Sequence, residues 1–346
     1  MSTEAAQPAE VSPLPDGLVE FRLPDPARLY ERVRLSAGLG TLDPRPDLTW
    51  ADGVWSVRVA LPPVNRLEYG FEVTRTVTDP DNPFTLETLS GGRSVLELPG
   101  YEAPAWTART VSPGTTRSID VAVHGITATL WAHPALDDDD PAPLLVVQDG
   151  SAYAHEGGLT RYLTALADDG AIPAARALLV EAHPRVQLYG ASEVYADALV
   201  LEVLPRVIEE VPTTALVGVG ASMGALAALH TEWRHPGSYA ALLLQSGAFF
   251  TPETDPQERG MAEWPQVTAF IDALHAEPRA SDLPPVVITC GTHEENAANN
   301  LLLALRLREV GVDVTLTEIA GLHNFTAWRD SLDPALRNLL IAVAAR

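Results

Sequence analysis

The chain has 346 residues, 46% of them hydrophobic, and a formal net charge of −23. A charge of that sign argues against nucleic acid as a partner, because a phosphate backbone calls for a basic face. All 23 basic residues are arginine, so a phosphate-loop lysine, a pyridoxal Schiff base and a kinase-type strand lysine are each excluded.

In chain order, residues 1–18 are polar with scattered Pro and Ala, too short of apolar residues for a signal peptide. No stretch approaches the roughly 20 apolar residues of a membrane span, so no membrane partner is expected. Trp55, Val57, Val59 and Leu61 alternate with Ser56, Arg58 and Ala60. Leu67, Tyr69, Phe71 and Val73 repeat the pattern, which marks half-buried antiparallel strands, and Asp79-Pro80-Asp81-Asn82-Pro83 closes the pair with turn formers. Trp50 and Trp55 read as core aromatics, with a sugar platform as the alternative. The acid run Asp137–Asp140 reads as a solvated loop.

From residue 141 onward, strand-like and helix-like segments alternate. Leu144–Gln148, Ala177–Glu181, Thr214–Val219, Ala241–Gln245, Pro285–Cys290 and Val314–Ile319 read as strands. Glu193–Ile208, Ala297–Arg308 and Asn324–Ala345 have helical spacing. The pattern predicts a doubly wound, mostly parallel α/β sheet with its site at the strands' C-terminal ends.

The motif that carries chemistry is Gly220-Ala221-Ser222-Met223-Gly224. A serine between glycines, after a strand and before the helix-like Ala225–His230, is how an α/β-hydrolase exposes a nucleophile on a sharp turn. The acid and the histidine should follow in that order. Glu294, after the strand ending at Cys290, is the expected acid, with its neighbour Glu295 as the alternative. His323, after Val314–Ile319, is the expected general base. The expected oxyanion donors are the N–H of Met223, directly after the nucleophile, and that of Ser151, in the Asp149-Gly150-Ser151 turn after Leu144–Gln148. No His/Cys cluster has zinc spacing, and no metal or cofactor is expected. Cys290 is the only cysteine, so no internal disulfide can form and a reducing, cytoplasmic setting is the expectation.

These residues carry a resemblance covering nearly the whole chain. The strand followed by Asp149-Gly150, the segment Asp169–Pro173, the serine elbow, Gly291-Thr292-His293-Glu294 and Gly321-Leu322-His323-Asn324-Phe325-Thr326-Ala327-Trp328-Arg329 together resemble the putative esterase family typified by enterochelin esterase. Mycolyltransferases and esterase D are more distant. The last segment is similar to the family's G-G-H-[DN]-W-x-x-W-R, with Leu322 for a glycine and Phe325 for a tryptophan. Arg185–Tyr189 departs from the family's R-x-x-E-L by lacking the glutamate.

The resemblance implies an immunoglobulin-like β-sandwich domain (19–102) ahead of an α/β-hydrolase domain (103–346). It also implies a small-molecule ester substrate such as a siderophore trilactone. Arg185 and Arg329 are then candidates to meet an anionic substrate. The rival readings are an acyltransferase that delivers the acyl group to a sugar or other alcohol, and a non-catalytic carbohydrate-binding protein on a hydrolase scaffold.

Overall fold

A run of apolar residues with no polar face must be buried on both sides, and the segments Ala142–Gln148 and Ala241–Gln245 are buried at every position. The computed structural model describes residues 11–13, 18–37, 46–60, 69–74, 78, 81–88, 91–97, 99–276 and 282–345. The chain divides into two units, Met1–Pro99 and Gly100–Arg346.

The first unit is strand-rich. Val54–Ala60 pairs antiparallel with Leu18–Pro24 on one side and Thr49–Ala51 on the other. Tyr69–Thr74 pairs instead with Arg32–Ala37, so the two alternating segments belong to different sheets and are not partners of each other. Cross-strand packing explains the choice. Phe21 lies opposite Val57, Leu23 opposite Trp55 and Leu35 opposite Phe71. Phe21 and Trp55 of one sheet share a core with Val33 and Leu35 of the other.

Trp55 is buried, and its indole N–H donates to Asp25 Oδ2 at 3.0 Å. Trp50 is covered by the Arg28 guanidinium, 4.9 Å from the ring centroid. Trp50 itself is half-buried and its indole N–H donates to the Asp25 carbonyl at 3.1 Å. Leu61, Leu67, Asp79 and Pro80, and residues 1–10, lie outside the described residues.

The second unit is an eight-stranded, mostly parallel sheet. Its strands are β1 (Thr115–Val123), β2 (Ile126–Ala132), β3 (Ala142–Gln148), β4 (Arg176–Ala182), β5 (Thr213–Ala221), β6 (Ala241–Gln245), β7 (Val286–Gly291) and β8 (Val314–Ile319). Their spatial order is β8-β7-β6-β5-β3-β4-β2-β1. Only the β1–β2 and β2–β4 pairings are antiparallel; every other pairing in this sheet is parallel. Helices cover both faces, and a separate apolar core lies on each side of the sheet. This is an α/β-hydrolase fold with a strand-rich N-terminal region.

The helices used below are α1 (Gly150–His155), α2 (Arg185–Tyr189), α3 (Met223–Arg234), α4 (Ala297–Glu309), α5 (Phe325–Asp330) and α6 (Leu332–Ala344). The single helix expected over 324–345 is two helices. Pro334 pushes the residue before it out of helical conformation, and Asp333 accordingly has φ −102° and ψ 125°. The acid run is more than a solvated loop, because the carbonyls of Asp137, Asp138 and Asp140 accept from the buried Arg176 guanidinium. Among the described residues no helix is long and apolar enough to cross a membrane.

Candidate active site

The parallel strands all end at one edge of the sheet, and the loops leaving β3, β5, β7 and β8 carry the expected site residues. Ser222 joins β5 directly to α3 with φ 54° and ψ −124°, a backbone region that costs a non-glycine residue of order 1–3 kcal/mol. The flanking glycines make this turn possible by allowing close approach. A Cβ on Gly220 would lie 2.3 Å from the Gly224 carbonyl oxygen, and one on Gly224 would lie 2.9 Å from Gln148 Cβ. The turn is pinned from the β6 side, where Ser222 N–H donates to the Gln245 carbonyl and Ala248 N–H donates to the Ser222 carbonyl. Met223 opens α3, so its N–H belongs to the first turn, whose amides have no partner within the helix.

The acid and histidine meet because their loops are packed against each other. Thr292 N–H donates to the Ile319 carbonyl at 3.0 Å, and Gly291 approaches Gly321 so closely that a Cβ there would sit 2.3 Å from the Gly321 carbonyl oxygen. Glu294 Oε2 then stands 3.5 Å from His323 Nδ1, with the Glu294 side chain 1% exposed. That is ion-pair distance and longer than a good hydrogen bond. Glu295 is exposed; of the two carboxylates, Glu294 is the one that faces the imidazole.

Burial raises the Glu294 pKa, but the closeness of His323, Cys290 and Ser246 to the carboxylate outweighs it, and the net shift is below the ordinary value. The Cys290 thiol donates to Glu294 Oε1 at 2.6 Å. Burial, reinforced by Glu294, pushes that thiol's own pKa up, so it remains a donor.

A buried polar layer supports this pair. The Trp328 indole N–H donates to Ser246 Oγ at 2.8 Å, while the Trp328 ring stands edge-to-face against His323 at 5.1 Å and against Phe325 at 4.7 Å. Gln245 accepts from the Tyr153 hydroxyl at 2.9 Å, and its amide N–H groups reach Thr289 Oγ1, the Trp328 carbonyl and Ser331 Oγ. One side chain thus ties α1, β6, β7 and α5 together. Asn324 caps α5 by accepting from Ala327 N–H at 3.0 Å.

The loop after β3 departs from expectation in three ways. The left-handed residue is Asp149, with φ 54°, and Gly150 is needed for contact instead, since its Cβ would lie 2.3 Å from Leu179 Cα. Arg185 is held by Asp149 in a two-point pair, Nε–Oδ1 and Nη2–Oδ2 both at 2.7 Å. The Ser151 N–H donates to Glu181 Oε1 at 2.6 Å.

Arg329 is likewise engaged, with Asp330 Oδ1 at 2.7 Å and the Tyr101 hydroxyl at 2.9 Å. Asp149 was named from sequence only as part of a turn, and Glu181, Ser246 and Tyr101 were given no role. Of these only Asp149 carried a signal, because Asp tolerates the left-handed region.

The family model described as "Putative esterase" matches residues 131–339. The iron(III) enterobactin esterase of Escherichia coli K12 is 24% identical over 275 residues, which are 75% of this chain and 66% of that protein. The protein of that name from Dickeya dadantii is 30% identical over 229 residues, 61% of this chain and 51% of its own length. The chain therefore spans about two thirds of one relative and about half of the other.

Among solved structures, the enterobactin esterase of Shigella flexneri superposes with a TM-score of 0.63 at 20% identity, over 97% of both chains. A ferulic acid esterase superposes with a TM-score of 0.56 at 17% identity, over 67% of this chain and 96% of its own. These structural likenesses speak to the fold.

Proposed function

We propose that this chain, which belongs to the putative esterase family, hydrolyses carboxylic esters through an acyl-enzyme on Ser222. The observation that carries the reading is the Glu294–His323 pair at 3.5 Å, formed at the strand ends that follow a serine held at φ 54°. His323 Nε2 takes the Ser222 proton as Oγ attacks the ester carbonyl, and Glu294 stabilises the imidazolium. The Met223 N–H receives the oxyanion, joined by that of Ser151 once its bond to Glu181 Oε1 is broken. The alcohol leaves with the proton held on His323. Water, deprotonated by the same imidazole, then attacks the acyl-enzyme and releases the acid, restoring Ser222.

The test is hydrolysis of p-nitrophenyl acetate by wild type and Ser222→Ala, together with labelling by a fluorophosphonate. Equal slow rates and equal absence of label would move the reading to a non-catalytic binding protein. Adding glycerol or trehalose and analysing the products separates hydrolysis from acyl transfer. The curated relatives are named for iron(III) enterobactin, so a catecholate ester is the first natural substrate to assay.

A further inference from the structure

We infer that Glu181 masks the oxyanion donor of Ser151, and that it selects for esters bearing a cation near the acyl carbonyl, whose charge draws the carboxylate off that amide. This rests on the ester-hydrolase reading above and turns its substrate class away from anionic catecholates, since both arginines that would meet an anion are already paired.

Two segments meet here, the turn after β3 and the end of β4 with the helix α2 that follows it. Glu181 lies at the end of β4, two residues beyond Leu179, and both side chains lie on the sheet face against which α1 packs. Its Oε1 accepts from Ser151 N–H at 2.6 Å, a short, charge-assisted bond. A carbonyl oxygen that is to use this amide must first displace the carboxylate. The neighbouring cation, Arg185, lies near enough to feel the Glu181 charge, but its two side-chain hydrogen bonds go to Asp149. Glu181, Asp149 and Arg185 together sum to one negative charge. Arg329, the other arginine expected to meet an anion, is paired with Asp330 and Tyr101.

A substrate group therefore meets a net negative charge beside the oxyanion loop. An anionic substituent gains no partner there and is repelled, and a neutral one offers the displaced carboxylate no new partner. A cation supplies a replacement partner for Glu181 at the moment its hydrogen bond to Ser151 is broken, so the interaction is realised in the transition state and raises kcat.

The experiment uses p-nitrophenyl esters of equal acyl length that end in a trimethylammonium, a tert-butyl or a sulfonate group; the first two are nearly the same size. Wild type should favour the trimethylammonium ester over the tert-butyl ester by about tenfold in kcat/KM, chiefly in kcat, with the sulfonate ester slowest. Glu181→Gln should bring the trimethylammonium to tert-butyl ratio to about one, and Glu181→Asp should keep a preference. Glu181→Ala, which leaves the Ser151 amide open, should speed turnover of the tert-butyl ester.

A sulfonate ester cleaved as fast as the tert-butyl ester by wild type, or a ratio untouched by Glu181→Gln, overturns the inference. So does a Glu181→Ala protein that melts like wild type yet loses activity on all three esters, which would make the carboxylate a support of the loop. If none of the esters is cleaved and Ser222 takes no fluorophosphonate label, it is the serine-hydrolase reading that fails, and this inference fails with it.

Discussion

Replacing Glu294 by Gln keeps the shape of the side chain and removes its charge, so it isolates what the carboxylate does for the imidazole 3.5 Å away. With Coulomb's law and an effective dielectric constant of about 20, two unit charges at that distance attract by about 5 kcal/mol. The attraction exists only once His323 carries the serine proton, so its loss falls on the transition state. At about 1.4 kcal/mol per decade it corresponds to a fall of roughly three to four orders of magnitude in kcat for p-nitrophenyl acetate. KM should change little, because the carboxylate, 1% exposed, is screened from substrate by His323.

Glu295→Gln is the matched control. Its carboxylate is exposed, and it should keep activity within about twofold, as surface substitutions usually have small effects. A Glu294→Gln enzyme within tenfold of wild type, or a Glu295→Gln enzyme weaker than it, would refute the pairing on which the proposed mechanism depends.

Four further outcomes follow from the same geometry. Gly220→Ala places a Cβ 2.3 Å from the Gly224 carbonyl oxygen, so the elbow cannot close; soluble yield and melting temperature should fall together with activity. Trp328→Phe keeps the ring against His323 but deletes the N–H bonded to Ser246 Oγ at 2.8 Å, and urea unfolding should show a loss of about 1–3 kcal/mol. Arg185→Met strands the Asp149 carboxylate, whose side chain is 14% exposed; it should lower kcat more than it raises KM, because the strained turn before Ser151 loses its clamp. The fourth concerns pH. The Glu294 pKa lies below its ordinary value of 4.5 in the folded chain, so its contribution to stability is present above that ordinary value and is lost as pH falls through the depressed one. Melting temperature measured downward from pH 5 should fall more steeply for wild type than for Glu294→Gln.

Much of this site was legible in the chain. Gly220, Ser222 and Gly224 announce the elbow because only small neighbours allow a serine at φ 54° between a strand and a helix. The apolar runs that became β3, β5, β6 and β7 could be read because parallel strands buried on both faces need no alternation. Other parts were not legible. Strands β1 and β2 form the antiparallel edge, and neither carries an apolar run like those of the central strands. In the first unit, alternation located the strands but gave no account of partners, since pairing depends on which residues face each other across the sheet. The kink at Asp333 near the start of α6 was available in Pro334, whose restriction of Asp333 outweighed the helical spacing around it.

Local chemistry, then, determined where the proposed nucleophile, acid and base belong in chain order, because backbone strain, burial and turn geometry act over a few residues. Which carboxylate faces His323, and whether Arg185, Arg329 and the Ser151 amide are free, was decided only when distant segments met. Glu294 reaches the imidazole through contact between Gly291 and Gly321, while Asp149 and Glu181 reach their partners across 36 and 30 residues of sequence. A charge acts through space and with its nearest opposite charge, and the order of residues along a chain does not say which neighbour that will be.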